Sequence, residues 1–160
     1  MNIQPKIEIL AEKKLVGTHH KINFLQFNVA PIWQEFRPRL KEINNCASRH
    51  LISMSVYEDG YFKNFNPAVY FEKWAAIQVL NFDNTPVGMK EFTLTGGLYA
   101  IFHYKGLHTN KKIYEYIFQD WLPRSGYQLD NRPHFEVLGD QYKNNDAESE
   151  EDIFIPIKPI

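Results

Sequence analysis

The sequence predicts an α+β fold in which a βαββ unit occurs twice about a pseudo-twofold axis, with two antiparallel sheets and a cleft between the halves. Three observations predict it. Apolar periodicities follow the order strand, helix, strand, strand in each half of the 160-residue chain. The first strands of the two halves align at one constant spacing, Ile7 with Phe92 and Ile9 with Leu94. The length is that of a single domain that can bury its own core.

We place the first pseudo-repeat at about residues 6–82. Its predicted elements, in chain order, are strand from residue 7 towards 24 with a turn near 12–14, helix at 31–45, and strands at 51–57 and 70–82. Apolar side chains at three- and four-residue spacing after Pro31 predict the helix. Pro38 is its one flaw, because an interior proline costs about 3 kcal/mol or kinks a helix.

We place the second pseudo-repeat at about residues 89–158, after a linker of turn-forming residues. Its predicted elements are strands at 92–94 and 99–104, helix at 109–122, and strands at 135–138 and 153–157. An apolar stripe predicts the helix, which we expect to end at Pro123 and Gly126. A cleft between two such halves is a natural place for a ligand.

Charge and composition exclude several classes of protein. The net charge of −1 and the pI of about 6.6 are not those of a typical nucleic-acid-binding domain. Cys46 is the single cysteine, so the chain has no internal disulfide and a reducing compartment is favoured. The N-terminus lacks the apolar core of a signal peptide, and no apolar run reaches membrane-spanning length. We therefore expect a cytoplasmic protein that makes no membrane contact.

Metals and other cofactors are not expected. The histidines lack the spacing of a closed zinc site, and no HExxH motif occurs. The acidic segment from Asp140 to Asp152 is interpreted as a solvated loop.

Glu136 is the residue that most strongly indicates a function. It interrupts the apolar, strand-like run 135–138. An unpaired buried carboxylate is costly, so its simplest use is to receive a cation or to move a proton. The alternative is that Glu136 points into solvent from the outward face of its strand. The candidate walls of a cleft around it are aromatic, with one histidine as a hydrogen-bonding partner: Tyr57, Trp74, Phe102, Trp121 and His103. Core packing explains each aromatic side chain about equally well and explains Trp121 better, and a strand histidine with satisfied hydrogen bonds is the better explanation of His103.

Four stretches in this order resemble a known family: 97–106 (GLYAIFHYKG), 121–127 (WLPRSGY), 133–136 (PHFE) and 152–157 (DIFIPI). The chain from about Ile7 to Ile157 resembles the GyrI-like small-molecule-binding domain, the effector-binding domain of AraC-type and MerR-type bacterial transcription activators. The resemblance implies two βαββ units and a glutamate in the cleft between them, which in multidrug-sensing members faces lipophilic organic cations. Glu136 stands at the matching position, and Trp74 stands where the family often has an aromatic residue.

Three functions are consistent with this resemblance. The preferred one is a stand-alone module that binds a small lipophilic ligand, cationic or neutral, with Glu136 against its charge and Trp74, Tyr57 and Phe102 against its rings. The second is a hydrolase of small electrophilic, cyclopropane-containing compounds with Glu136 as its catalytic acid or base. The third is a gyrase-inhibitor-like interaction module that uses the acidic segment 140–152.

Direct DNA binding is not expected. The regulators of the family carry a helix-turn-helix segment before this domain, whereas here the first predicted strand begins within about seven residues of Met1. A homodimer is compatible with all three functions.

Overall fold

The α+β fold predicted from the sequence is confirmed. The structure, a computed structural model, describes residues 2–107, 111–144 and 146–160. Its strands are β1 (Lys6–Leu10), β2 (Lys13–Ile22), β3 (Cys46–Val56), β4 (Phe71–Val79), β5 (Lys90–Leu94), β6 (Gly97–Lys105), β7 (Tyr127–Leu129), β8 (His134–Leu138) and β9 (Glu150–Pro159). Its helical segments are α1 (Ala30–Phe36) with a 3₁₀ continuation (Arg37–Glu42), and α2 (Lys112–Glu115), a π-helical segment (Tyr116–Trp121) and α3 (Leu122–Arg124).

The two predicted antiparallel sheets are joined edge to edge into one continuous sheet. The strand order is β1-β6-β9-β8-β3-β4-β2-β5, and β7 pairs with β9. The antiparallel pair β3–β8 joins the halves. Read from the two ends, the order places β1 and β5, β6 and β2, β9 and β4, and β8 and β3 at equivalent positions. The sheet therefore has the pseudo-twofold arrangement, and its centre lies between β3 and β8.

The first strand of each half pairs with the other half. Ile9 in β1 lies opposite Leu98 in β6. At the predicted spacing, Ile9 corresponds to Leu94, and Lys13 corresponds to Leu98. In the second half the corresponding pair occurs, because Leu94 in β5 lies opposite Lys13 in β2. The repeat spacing read from the sequence is thus preserved in the register, although the strands are exchanged between halves.

Both helices change their geometry at a proline. Helix α1 gives way to a 3₁₀ segment that has Pro38 in its first turn, since a proline cannot donate the hydrogen bond that would continue the α-helix. In the second helix, the Leu122 N–H donates to the Ile117 carbonyl, which is a π-type bond just before Pro123. The helix extends through Pro123 to Arg124, and Gly126 follows at φ +81°. Residues 109 and 110, where we expected this helix to begin, lie outside the described residues.

Both helices pack on the same face of the sheet. Four residues on adjacent strands lie opposite one another: Ala75, Ser53, Glu136 and Ile153. Ala75 belongs to the apolar cluster beneath α1, and Ile153 to the cluster beneath the second helix. We call this side the helix face. The other side holds a separate cluster that includes Leu15, Met54, Trp74, Tyr99 and Phe135. Ser53 and Glu136 therefore lie on the helix face between the two helix-covered regions.

Within the described residues, no helix has the length and the apolar character needed to cross a membrane.

We expect Gly17→Ala to destabilise the fold. Gly17 in β2 lies opposite Ala76 in β4, and an added Cβ would clash with the Ala75 carbonyl oxygen and lie 2.8 Å from the Ala76 Cα. Because the clash is with backbone, we expect a loss near the upper end of the roughly 1–3 kcal/mol typical of overpacking. Gly139→Ala is the control, since its Cβ would only reach ordinary contact with His50 at 3.7 Å. Equal melting temperatures for the two variants would contradict this prediction.

Candidate functional site

Glu136 lies at the centre of the sheet, on the helix face. Strand β8 holds it between β3 and β9, opposite Ser53 and Ile153. Its side chain is half-buried, whereas Ser53 and the neighbouring Ser55 are buried. The carboxylate therefore lies on a polar floor in the gap between the two helix-covered halves, and it retains some access to solvent.

Two groups lie beside the Glu136 carboxylate. The Tyr114 hydroxyl of α2 donates a hydrogen bond to Glu136 Oε1. Glu151 lies next to Glu136 on the neighbouring strand β9, two residues before Ile153 and on the same face, and is 6% exposed. Burial, together with the charge of Glu136, raises the pKa of Glu151 to about 9. With that raised pKa, Glu151 keeps its proton at neutral pH and can donate it to the Glu136 carboxylate.

Lys73 supplies a positive charge beside this pair. It lies on β4 opposite Ser55, is 7% exposed, and donates from Nζ to Ser55 Oγ at 3.0 Å. Burial lowers the pKa of Lys73, and the charges of Glu136 and Glu151 oppose that shift. The two carboxyl groups thus favour the ammonium form of Lys73, against the effect of its burial.

Aromatic rings enclose the polar floor around His134. The His134 ring contacts three half-buried aromatic side chains: Tyr57 at 4.9 Å, Phe62 at 5.6 Å and Phe118 at 6.1 Å between ring centroids. Burial, with a smaller effect of Lys73, lowers the pKa of His134 to about 3, so the imidazole is neutral. The rings thus form an uncharged wall above the charged groups of Glu136 and Lys73.

This wall continues to the surface as a patch of exposed rings, which we call the aromatic patch: Phe24, Phe27 and Phe65. Phe24 connects the patch to the interior, with ring centroids 5.5 Å from Phe65 and 5.0 Å from the buried Phe71. Lys73 Nζ lies 5.9 Å from the centre of the Phe27 ring. Exposed aromatic surface next to a buried charge is characteristic of a binding site rather than of an inert surface.

The comparisons with known proteins establish the family and the fold. The model of the GyrI-like small molecule binding domain matches residues 3–158. The chain belongs to the GyrI-like family. No curated protein matches it in sequence.

Solved structures share the GyrI-like fold at low sequence identity. SAV2435 bound to tetraphenylphosphonium has a TM-score of 0.72 and 18% identity, over 98% of this chain and 94% of that one. The EcmrR C-terminal domain has a TM-score of 0.70 and 18% identity, over all of both chains. A hydrolase encoded by lin2189 from Listeria innocua has a TM-score of 0.60 and 11% identity, over 97% of this chain and 92% of that one. At these identities the likeness establishes the fold.

Among the aromatic residues singled out in the sequence, the structure brings Tyr57 towards Glu136 in this GyrI-like domain. Trp74 does not join them, because it lies on the sheet face opposite the helix face, where it stacks on His19 at 4.4 Å. Phe102 and Trp121 are buried in the core beneath the second helix, with ring centroids 5.1 Å apart. The expectation that Trp74 lines the cleft around Glu136 is therefore wrong.

His103 also lies away from Glu136. It is exposed on the opposite face, where its ring nitrogens hydrogen-bond Asp152 at 2.7 Å and Glu150 at 2.8 Å. A groove of about 560 Å³ on that face includes His103 and has Phe135 and Phe154 among its lining residues. His103 thus belongs to an ion-paired rim and not to the aromatic enclosure.

The acidic segment is only partly a solvated loop. Strand β9 begins at Glu150, three residues earlier than expected, and Glu151 is buried. A partner that bound this segment could reach Glu148 and Glu150, but it could not reach Glu151.

Sequence reasoning missed four residues of the site: Lys73, Tyr114, His134 and Glu151. A signal existed for two of them. Glu151 continues the alternation of the buried Ile153, Ile155 and Ile157, and Lys73 continues that of Ala75, Ile77 and Val79. Charges at buried positions of two alternating strands indicate a polar cluster.

Proposed function

We propose that this GyrI-like protein binds a lipophilic organic cation in the aromatic enclosure above Glu136. The observation that supports it is that the Glu136 carboxylate lies beneath neutral aromatic rings. These rings continue into the exposed aromatic patch. A cation gains both Coulomb and cation–π stabilisation there, and desolvation strengthens both.

The composition of the enclosure favours this class of ligand over others. Two carboxyl groups and one lysine face it, so the site has one negative charge in excess once both carboxyl groups are ionised. Neutral His134 and the phenols of Tyr57 and Tyr114 add polarisable surface but no positive charge. Tetraphenylphosphonium, the compound bound in SAV2435, combines a single positive charge with aromatic surface and is therefore the natural probe.

We expect the protein to bind tetraphenylphosphonium and to discriminate against tetraphenylborate, an anion of nearly the same shape. Glu136→Gln should weaken tetraphenylphosphonium binding about ten- to hundredfold, because a charged partner contributes about 1.5–3 kcal/mol. Isothermal titration calorimetry on the wild type and on the variant measures the dissociation constants. Glu148→Gln is the matched control, since Glu148 is exposed and pairs with Lys105.

Two results would refute the proposal. One is equal affinity for the cation and the anion in the wild type. The other is an unchanged dissociation constant for tetraphenylphosphonium in Glu136→Gln when the variant keeps the wild-type circular dichroism spectrum.

A further inference from the structure

The carboxyl pair at the floor of the site holds a proton that a bound cation could replace. Glu151 lies beside Glu136 on the same face of the neighbouring strand, is 6% exposed, and keeps a proton that it can donate to the Glu136 carboxylate. Among the described residues, three buried side-chain atoms have no hydrogen-bond partner, and Glu151 Oε2 is the one oxygen among them. This oxygen is a site for negative charge that the protein leaves unused.

The charges around the pair balance before any ligand binds. The titratable groups that face it, or act on its charge, are Glu136 on β8, Glu151 and Asp152 on β9, Lys73 on β4, His134 on β8, Tyr57 after β3, Tyr114 on α2, and Tyr142 between β8 and β9. Burial raises the pKa values of the three tyrosines, so the phenols are neutral, as is His134. Asp152 lies on the opposite face with His103.

An added cation would upset this balance. With one proton on the carboxyl pair, Lys73 already compensates the remaining negative charge. A ligand cation would leave one positive charge in excess beside the buried Lys73 and Glu151 side chains, where uncompensated charge is costly. Loss of the proton on the carboxyl pair restores the balance, because the second carboxylate then becomes the counter-charge of the ligand.

We propose that a lipophilic cation exchanges with the proton of the Glu136–Glu151 pair, so that one proton is released for each cation bound. The step balances as follows: the carboxylic O–H bond breaks, its electron pair stays on the carboxylate, and the proton passes to water or buffer. No oxidant or other reactant takes part. This inference rests on the proposed function and adds the number of protons released for each cation bound.

The exchange predicts a pH dependence of affinity. The free protein then holds one more proton than the complex, so raising the pH favours the complex. We expect the affinity for tetraphenylphosphonium to rise about tenfold per pH unit while the free pair keeps its proton, and to level off above a pH of about 9. Without the exchange, affinity between pH 6.5 and 8.5 would be nearly flat.

The direct test counts protons. Tetraphenylphosphonium is titrated into the full chain at pH 7.5 by calorimetry, in phosphate and in Tris, whose protonation enthalpies differ widely. The difference between the observed heats gives the number of protons released, which we expect to be close to one. Glu151→Gln should still bind the cation but release close to none, because its amide can donate to Glu136 without a dissociable proton. Glu148→Gln should match the wild type.

The outcomes separate the two proposals. Tight binding by the wild type without proton release would overturn the exchange and leave the proposed function standing. Release of one proton by Glu151→Gln would also overturn the exchange, since another group would be its source. Absence of any binding by the wild type would overturn the proposed function and the exchange with it. The wild-type proton count is decisive even if Glu151→Gln does not fold.

Discussion

Replacing Glu151 by glutamine is expected to stabilise the protein at alkaline pH, although it removes a buried hydrogen-bonding acid. The pKa of Glu151 is about 9 in the folded protein, far above that of an exposed glutamate. The folded state therefore keeps a proton that the unfolded state releases, and the wild type loses stability as the pH rises between about 4.5 and 9. The loss approaches about 1.4 kcal/mol per pH unit for one retained proton. The glutamine side chain titrates in neither state, so we expect Glu151→Gln to gain at least about 2 kcal/mol over the wild type at pH 8.

His134 sets the pH range in which this effect is clearest. Its pKa of about 3 in the folded protein lies below that of an exposed histidine, so its contribution to stability is present above about pH 6.5 and is lost as the pH falls. Below pH 6.5 the two residues have opposite effects on the wild type. Urea denaturation at pH 6.5, 7.5 and 8.5 therefore isolates Glu151. Stability differences between the wild type and Glu151→Gln that do not change with pH would contradict the prediction, and Glu148→Gln should follow the wild type.

The elements of the fold could be predicted because their signals are local. Periodicity placed both helices and most strands, and the constant spacing between Ile9 and Leu94 reappears in the register of β1 and β5. The exchange of those strands between halves could not be predicted, since it depends on pairing between residues far apart in sequence. The effect of Pro38 also follows from local chemistry, because the α-helix ends just before it.

The site could be predicted only in part. Glu136 stood out because it interrupts an apolar run. Strand alternation shows that Lys73 and Trp74 lie on opposite faces of β4, but it does not show which face the helices cover. That is settled by tertiary packing, and it puts Lys73 on the side of Glu136 and Trp74 on the other side. Tyr114 reaches Glu136 from a helix, and no sequence spacing indicates that contact.

Lys73→Met is expected to be the most destabilising side-chain change in the site, by about 3–5 kcal/mol at neutral pH, because removal of one partner leaves the other buried charge uncompensated. Met has a similar length and keeps the packing on Phe27, so the loss reports charge. Adding Glu136→Gln to Lys73→Met should recover most of the lost stability. The double variant no longer contains the Glu136 carboxylate whose charge Lys73 would compensate. Urea denaturation of the two single variants and the double variant gives the coupling energy.

The exposed pair of Lys105 and Glu148, at 3.0 Å, provides the contrast. Because solvent screens it, Lys105→Met should cost less than about 1 kcal/mol, and its effect should simply add to that of Glu148→Gln. If Lys73→Met cost no more than Lys105→Met, Lys73 would not be the counter-charge of the carboxyl pair. If Lys73 is the counter-charge of the carboxyl pair, the site of the Lys73→Met variant holds an unmatched negative charge that an added cation can neutralise. Tetraphenylphosphonium should then raise the melting temperature of Lys73→Met more than that of the wild type, and tetraphenylborate should not.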